Sequence, residues 1–561
     1  MKVFEGLAQA IAAEGPPAYL FGLIGGGTDR FIAAMTHNTS TRWIPTRHEQ
    51  AAVGMADGFA RASGEVAVAT VSHGPGLTNA ATHMTAARIA KSPLLVVCSD
   101  FGPLDRRTSP MYFDQEPFLR ATIGQVTTVV DPLSLKDDLD FAYRQLRSGV
   151  GPIALNVPAH VEGAKLPEDW FYEPRRRFAP KTRVAPDRDG LKAALDKIQS
   201  ASRVAILAGR GAVLSEAREA LAELADRTGA ILTTSLLARE FFRGYPSNAG
   251  ISGGFGAPSA QGLLQDADLV LVFGASLNDH TTSQRSVYSQ ACVVQIDIRR
   301  EAFDVWMPAD VAVLGDCRVT AEMLNAALAQ KGHRAKFNAP ADDLVGVDAW
   351  EGVDVTPPAS GVNPHYAVRL LNRTFPSRRL AGTDVGWFMG ISGAHMEVEH
   401  PEDLFVPWFF GGIGSGLSEA MGATLARPEL ASIYFIGDGG LMLALSDLET
   451  VGRERIPMLV VVVDDGGFGA ERPRYARLGI DQSYANYENP DMASIAASFG
   501  LRSFLVTGHA ALERAVQEIT ATPESAAIPT LLHLIVERGA PAPEMARAYG
   551  VLDRQRTATA D

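Results

Sequence analysis

Short apolar, β-branched runs recur at Ala18 to Gly22, Trp43 to Thr46, Val66 to Val71, Leu94 to Ser99 and Ile153 to Val157, separated by helix-compatible stretches. Runs that are apolar on both faces and alternate with helices predict a parallel sheet covered on both sides. Ligands of such sheets bind beyond the carboxyl ends of the strands. Residues 166–190 break the rhythm with four prolines and clustered charge, which marks a linker. A second block carries runs at Val204 to Ala208, Ala230 to Thr233, Leu269 to Phe273 and Cys292 to Ile298. After another Pro-rich, aperiodic stretch at 334–362, a third has them at Ile433 to Ile436, Met458 to Val463 and Thr530 to Val536. The pattern predicts an α/β protein of three doubly wound parallel-sheet domains, at 1–165, 188–335 and 361–540.

The length of 561 residues accommodates this plan at ~150 residues per domain. Fifty-three glycines, where average usage of ~7% gives about 39, indicate a turn-rich globular chain. The net charge of −13 argues against a nucleic-acid partner, so any phosphate must be held locally. Cys98, Cys292 and Cys317 form no CxxC or CxxH pair and read as buried free thiols. No stretch of ~18 uncharged apolar residues occurs, and Glu5 and Glu14 interrupt the N-terminal segment. The expectation is a soluble cytoplasmic protein with no membrane partner.

Gly437-Asp438-Gly439-Gly440 directly follows one apolar run, and a helix with Leu443, Leu445, Leu448 and Val451 on one side leads to a second run ending at Asp464-Asp465-Gly466-Gly467. Asp438 and Asp465 are 27 residues apart but end adjacent strands of one βαβ unit. Two carboxylates and free carbonyls at the mouth of a parallel sheet suit a hard divalent cation, with a diphosphate supplying further oxygens. Gly439 and Gly440 let backbone N–H groups approach those phosphates.

This arrangement resembles the thiamine diphosphate (ThDP) motif, GDG followed by NN, and the whole chain resembles the acetolactate synthase and 2-oxo-acid decarboxylase superfamily. The resemblance implies a pyrimidine-binding domain, a central domain and a diphosphate-binding domain. It makes Asp438, Asp465 and, through its carbonyl, Gly467 the Mg²⁺ ligands, and Gly437, Asp438, Gly439, Gly440 and Asp465 the diphosphate site. The chain departs from the pattern in having Asp464-Asp465 for NN, which should tighten cation binding and repel the diphosphate.

Arg47-His48-Glu49-Gln50-Ala51-Ala52 and the following Ala56-Asp57-Gly58-Phe59-Ala60-Arg61 are similar to the family segment that carries the catalytic glutamate. The resemblance assigns Glu49 to the aminopyrimidine N1′, where it promotes the imino tautomer that removes the C2 proton. Ser72-His73-Gly74-Pro75-Gly76-Leu77-Thr78-Asn79 resembles the SGPGATN loop beside the cofactor, which places Pro75 and Asn79 at the cofactor and His73 at the substrate. In Phe410-Gly411-Gly412-Ile413-Gly414-Ser415-Gly416, Ile413 takes the place of the residue that wedges the cofactor into its V shape, and the Gly411 carbonyl that of the 4′-amino acceptor. Phe113-Asp114-Gln115-Glu116-Pro117 is similar to the AFQE segment of acetolactate synthases and sets Gln115 at the pocket. Glu471 aligns with a catalytic glutamate of pyruvate decarboxylases, while Glu471, Arg472 and Arg474 read equally well as an exposed ion-pair cluster.

The resemblance therefore implies an acetolactate synthase-like ThDP- and Mg²⁺-dependent enzyme. It would form an acyl carbanion from a 2-oxo acid or an acyloin and then protonate it or ligate it to an acceptor. Glu49, His73, Gln115 and Glu471 are its candidate catalytic residues. The alternatives are a simple decarboxylase of the benzoylformate or pyruvate type and a non-catalytic ThDP-fold regulatory subunit. A third, acting on acyl-CoA, would need a more basic tail than Arg547, Arg554 and Arg556 provide. Gly209-Arg210-Gly211 and Gly274 to Asp279 in the central domain leave an FAD or ADP site open beside a vestigial one. The family's plan also implies a homodimer or homotetramer with active sites at the subunit interface.

Overall fold

The structure, a computed structural model, describes residues 1–174, 183–336, 349–540 and 542–549. Parts of the two expected linkers, 175–182 and 337–348, and the tail containing Arg554 and Arg556 lie outside the described residues. Eighteen strands among the described residues form three six-stranded, wholly parallel sheets. The first holds β1 (Tyr19–Gly22), β2 (Arg42–Pro45), β3 (Ala67–Val71), β4 (Leu94–Asp100), β5 (Gln125–Thr128) and β6 (Ile153–Pro158). The second holds β7 (Val204–Ala208), β8 (Ile231–Thr234), β9 (Asn248–Ile251), β10 (Leu269–Phe273), β11 (Cys292–Asp297) and β12 (Val311–Leu314). The third holds β13 (Arg379–Thr383), β14 (Leu404–Phe405), β15 (Ala431–Gly437), β16 (Met458–Asp464), β17 (Arg502–Val506) and β18 (Thr530–Ile535).

The first sheet runs β2-β1-β3-β4-β6-β5 and the third β14-β13-β15-β16-β18-β17, so these two domains share one topology. The central sheet, β9-β8-β7-β10-β11-β12, follows the dinucleotide-binding order. In the third sheet the chain reverses direction between β13 and β15, which places Asp384 and Asp438, the residues after those two strands, at the crevice. Helices cover both faces because the interior strands are apolar on both: β3, β4, β6, β10 and β16 are buried throughout.

The first and third domains pack together through the helices Glu49–Ser63 and Gly416–Ala426. Ala52, Met55, Ala56 and Phe59 join Leu417, Ala420 and Met421 in one buried cluster. A Cβ on Gly58 would lie 2.6 Å from the carbonyl carbon of Glu419, and one on Gly422 would lie 2.7 Å from that of Met55. Only glycine permits this backbone approach. Along the seam, Arg61, its side chain 9% exposed, pairs with Asp57 at 3.1 Å and with Glu419.

Two expectations need correction. The helix after Gly437 is two segments, Asp438–Leu443 and Leu445–Glu454, divided at Ala444. The break changes the helical phase, so Leu448 and Val451 are fully buried while Leu443 is 62% exposed. Of the three free thiols, Cys98 and Cys317 are buried but Cys292, at the start of β11, is half-buried.

Candidate functional site

His48 caps the helix Glu49–Ser63 from an extended conformation, its ring nitrogen accepting the Gln50 N–H at 3.2 Å. This puts Glu49 on the first helical residue, where a carboxylate is favoured by the exposed N–H groups. Glu49 is buried, and its Oε2 accepts a 3.0 Å hydrogen bond from Asn79 Nδ2 at the end of the short helix Pro75–Asn79. A Cβ on Gly76 would come within 2.9 Å of Glu49 Oε1. The Gly76 backbone thus packs closely against Glu49 and the Ser72 hydroxyl, and Glu49, Pro75 and Asn79 are brought together.

His73 follows β3 and is half-buried, its ring 4.2 Å from that of Phe101. Ser99 Oγ accepts the His73 backbone N–H and lies 3.0 Å from Nδ1. Burial pulls the imidazole below its ordinary range against the charges of Asp100 and Asp105, which favours its neutral form. Gln115 is buried with both ends bonded: Oε1 accepts the Gly74 N–H at 2.8 Å and Nε2 donates to the Ser99 carbonyl at 3.0 Å. It braces the His73–Gly74 turn rather than offering free donors to a pocket.

In the third domain, Gly411 and Gly414 take left-handed φ values of +69° and +78°, bending the loop that carries Ile413. Ile413 is 44% exposed. The Gly414 N–H donates to Asp384 Oδ2 at 2.7 Å, and the Ser415 carbonyl contacts His83 Nε2 at 2.9 Å. The loop therefore rests on the first-domain helix that follows Asn79. Burial pushes the Asp384 carboxyl up to about 7, against the hydrogen bonds from Gly414, Val385 and Gly416.

β15 and β16 pair in parallel and deliver the two acidic turns to one place. Asp438 Oδ2 accepts the Gly467 N–H at 2.8 Å and Asn489 Nδ2 at 2.7 Å. Asp464 accepts from His533 Nε2, Asn489 Nδ2 and the Gly466 N–H at 2.8, 2.8 and 3.0 Å. Asp465 Oδ2 is paired with Arg472, whereas Asp465 Oδ1 is buried without a hydrogen-bond partner. Burial, and then the charges of Asp464 and Asp465, raise the Asp438 carboxyl against the Asn489 hydrogen bond. An orphaned carboxylate oxygen among three close carboxylates fits a divalent cation, and hard oxygen donors suit Mg²⁺. Cβ atoms on Gly439 and Gly440 would meet Tyr487 Oη and Asp384 Oδ2, each at 2.5 Å, so both glycines are required by the crevice wall.

The cluster expected at Glu471, Arg472 and Arg474 divides. Glu471 and Arg474 form a solvent-accessible pair at 3.2 Å, while Arg472 turns inward. Asp384, Asn489, His533 and the inward role of Arg472 were absent from the sequence-based set, because each depends on contacts distant in the chain. In the central domain the glycines pack against one another: a Cβ on Gly211 would lie 2.7 Å from Gly274 Cα. Arg210 donates to the Ala90 carbonyl at 2.9 Å and stacks on Phe409. Loop packing and domain contact thus account for Arg210, Gly211 and Gly274.

Residues 1–116, 191–324 and 384–531 match the family models for the N-terminal TPP binding domain, the central domain and the C-terminal TPP binding domain of thiamine pyrophosphate enzymes. The chain is 28% identical over 509 residues to a sulfoacetaldehyde acetyltransferase of Alcaligenes xylosoxydans xylosoxydans, across 84% of this chain and 82% of that protein. It is 29% identical over 469 residues to a probable 2-ketoarginine decarboxylase of Pseudomonas aeruginosa, across 82% and 81%. With the acetolactate synthase large subunit of Haemophilus influenzae it shares 25% identity over 528 residues, across 92% and 91%.

Proposed function

The chain belongs to the thiamine pyrophosphate-dependent enzymes, in the superfamily of acetolactate synthase and the 2-oxo-acid decarboxylases, and on that premise we propose that it forms an acyl carbanion from a 2-oxo acid or an acyloin. The carbanion is then ligated to an acceptor carbonyl or protonated. Relatives named as an acetyltransferase and as a decarboxylase support both outcomes. When bound, the cofactor supplies the electron sink for this chemistry.

The observation that carries the proposal is the buried Glu49 at the start of its helix, with one oxygen held by Asn79 and the other lying against the Gly76 backbone. Held this way, Glu49 would exchange a proton with a ring nitrogen of the bound cofactor. Asp438, Asp465 and the Gly467 carbonyl would hold Mg²⁺, and the Gly437–Gly440 turn the diphosphate. Ile413 supplies the apolar support beneath the cofactor. His73, steadied by Ser99, serves as hydrogen-bond donor to the substrate. Gln115 positions the His73 turn, and Glu471 reaches the reaction only if the pair with Arg474 opens. Phe410, Ile413, Leu443 and Phe468 are exposed around the crevice in a single chain, which supports its closure by a second copy.

The test is a panel of 2-oxo acids and acyloins, with and without an acceptor aldehyde, followed by CO₂ release and mass spectrometry. The proposal expects turnover that requires added ThDP and Mg²⁺. Cofactor binding with no turnover of any compound in the panel would favour the regulatory-subunit alternative.

A further inference from the structure

The family motif ends in two asparagines, and this chain carries two aspartates in their place. Their partners differ. Asp464 has both oxygens engaged, Oδ2 by His533 and Oδ1 by Asn489 and the Gly466 N–H. Asp465 has a single side-chain partner, Arg472, whose Nη1 pairs with Oδ2. Arg472 is only 7% exposed, and its fork is completed by the Asp465 carbonyl at 3.0 Å and Asn486 Oδ1 at 2.8 Å. The other oxygen, Asp465 Oδ1, is buried and has no hydrogen-bond partner.

We propose that Arg472 is a positioning residue that makes Asp465 act as the asparagine it replaces. An asparagine presents one neutral oxygen to a cation and turns a nitrogen away. The Asp465–Arg472 pair does the same with a net charge of zero: Oδ2 is spent on the guanidinium and Oδ1 is left as the metal-facing donor. The pair thereby removes the charge that Asp465 would otherwise add against the diphosphate, leaving Asp464 to its own partners. This inference rests on the reading of the site as a cation–diphosphate site and extends it to a residue outside the family motif.

The experiment measures Mn²⁺ binding alone by electron paramagnetic resonance and ThDP binding at saturating Mg²⁺ by calorimetry, in wild type, Arg472→Gln, Arg472→Lys, Asp465→Asn and the Asp465→Asn/Arg472→Gln double variant. Charge compensation gives effects of opposite sign. Arg472→Gln binds Mn²⁺ more tightly and ThDP at least tenfold more weakly, and Asp465→Asn binds Mn²⁺ more weakly. The double variant returns both affinities to within about threefold of wild type, and Arg472→Lys keeps Mn²⁺ affinity near wild type. A purely structural Arg472 predicts instead that Arg472→Gln weakens both ligands and that the double variant is no better than the worse single, which would overturn the proposal. Wild-type protein that binds neither Mn²⁺ nor ThDP would overturn the site reading itself, a result distinguishable from missing coupling in a protein that binds both.

Discussion

Gly58→Ala tests whether the contact between the first and third domains is as close as the geometry states. The new Cβ must move from 2.6 Å to at least the 3.4 Å where ordinary contact with the Glu419 carbonyl carbon begins, a shift of 0.8 Å or more. A gap of ~0.5–1 Å forfeits a quarter to a half of the dispersion well of each contact across the seam. Of the seven buried side chains that line that seam, Met55, Phe59, Leu417 and Met421 are worth ~1.5–3 kcal/mol each when fully buried and the three alanines about 0.8 kcal/mol each. With half of their contacts crossing it, the loss is on the order of 1–4 kcal/mol. Alanine returns about 1 kcal/mol through its helix propensity, leaving a net destabilisation of about 2 kcal/mol, or roughly 4–8 °C at ~2–4 °C per kcal/mol. The control is Gly262→Ala in the helix Pro258–Gln265, where a Cβ meets nothing within 4 Å. It should be neutral or stabilising by up to ~1 kcal/mol. Calorimetric melting of both variants decides the matter, and a Gly58→Ala protein melting at or above wild type refutes the packing argument.

Three further outcomes follow from individual groups. Burial holds Asp384 at about 7, above its ordinary 3.8, so its contribution to stability is full below pH 3.8 and is lost as pH rises through 7. Asp384→Asn should therefore gain stability relative to wild type between pH 4 and 7, by up to ~1.4 kcal/mol per unit; parallel urea-denaturation profiles would contradict this. Gln115→Ala leaves the buried Gly74 N–H and Ser99 carbonyl unpaired and should cost about 2–4 kcal/mol, with unchanged urea midpoints as the adverse result. Burial would raise the Glu544 carboxyl, but hydrogen bonds from His365 and His395 outweigh it and hold it at about 2, so this contribution persists above pH 4.5 and fades as pH falls through 2. Glu544→Gln should loosen the helix Pro543–Tyr549 by about 1.5–3 kcal/mol, seen as earlier proteolysis there, and an unchanged cleavage rate would count against it.

Apolar runs revealed the interior strands because a strand buried on both faces leaves an uninterrupted signature. β5, β9, β12, β14 and β17 escaped for the converse reason: each lies at a sheet edge, and each is short or partly exposed. β13 is the exception, an interior strand disguised by Arg379, whose guanidinium is absorbed by the carbonyls of Leu371 and Asn372. In the site, the proximity of Glu49 to Asn79 and of Asp438 to the Asp464-Asp465 turn follows from their places just beyond strand ends or in the short helix after β3. Whether Asp465 carried an uncompensated charge was not legible, since the answer lies in the orientation of Arg472. The same holds for Gln115, whose oxygen accepts from Gly74 and whose nitrogen donates to Ser99.

The central claim is that Glu49 activates a bound thiamine cofactor, and exchange of the C2 proton of ThDP in D₂O, followed by quenched-flow NMR, tests it most directly. Glu49→Gln preserves the shape of the side chain and an oxygen for Asn79 while removing the titrating group. The account predicts ThDP affinity close to wild type, with C2 exchange and turnover reduced by about 10²–10⁴. Wild-type exchange in the Glu49→Gln protein would contradict it.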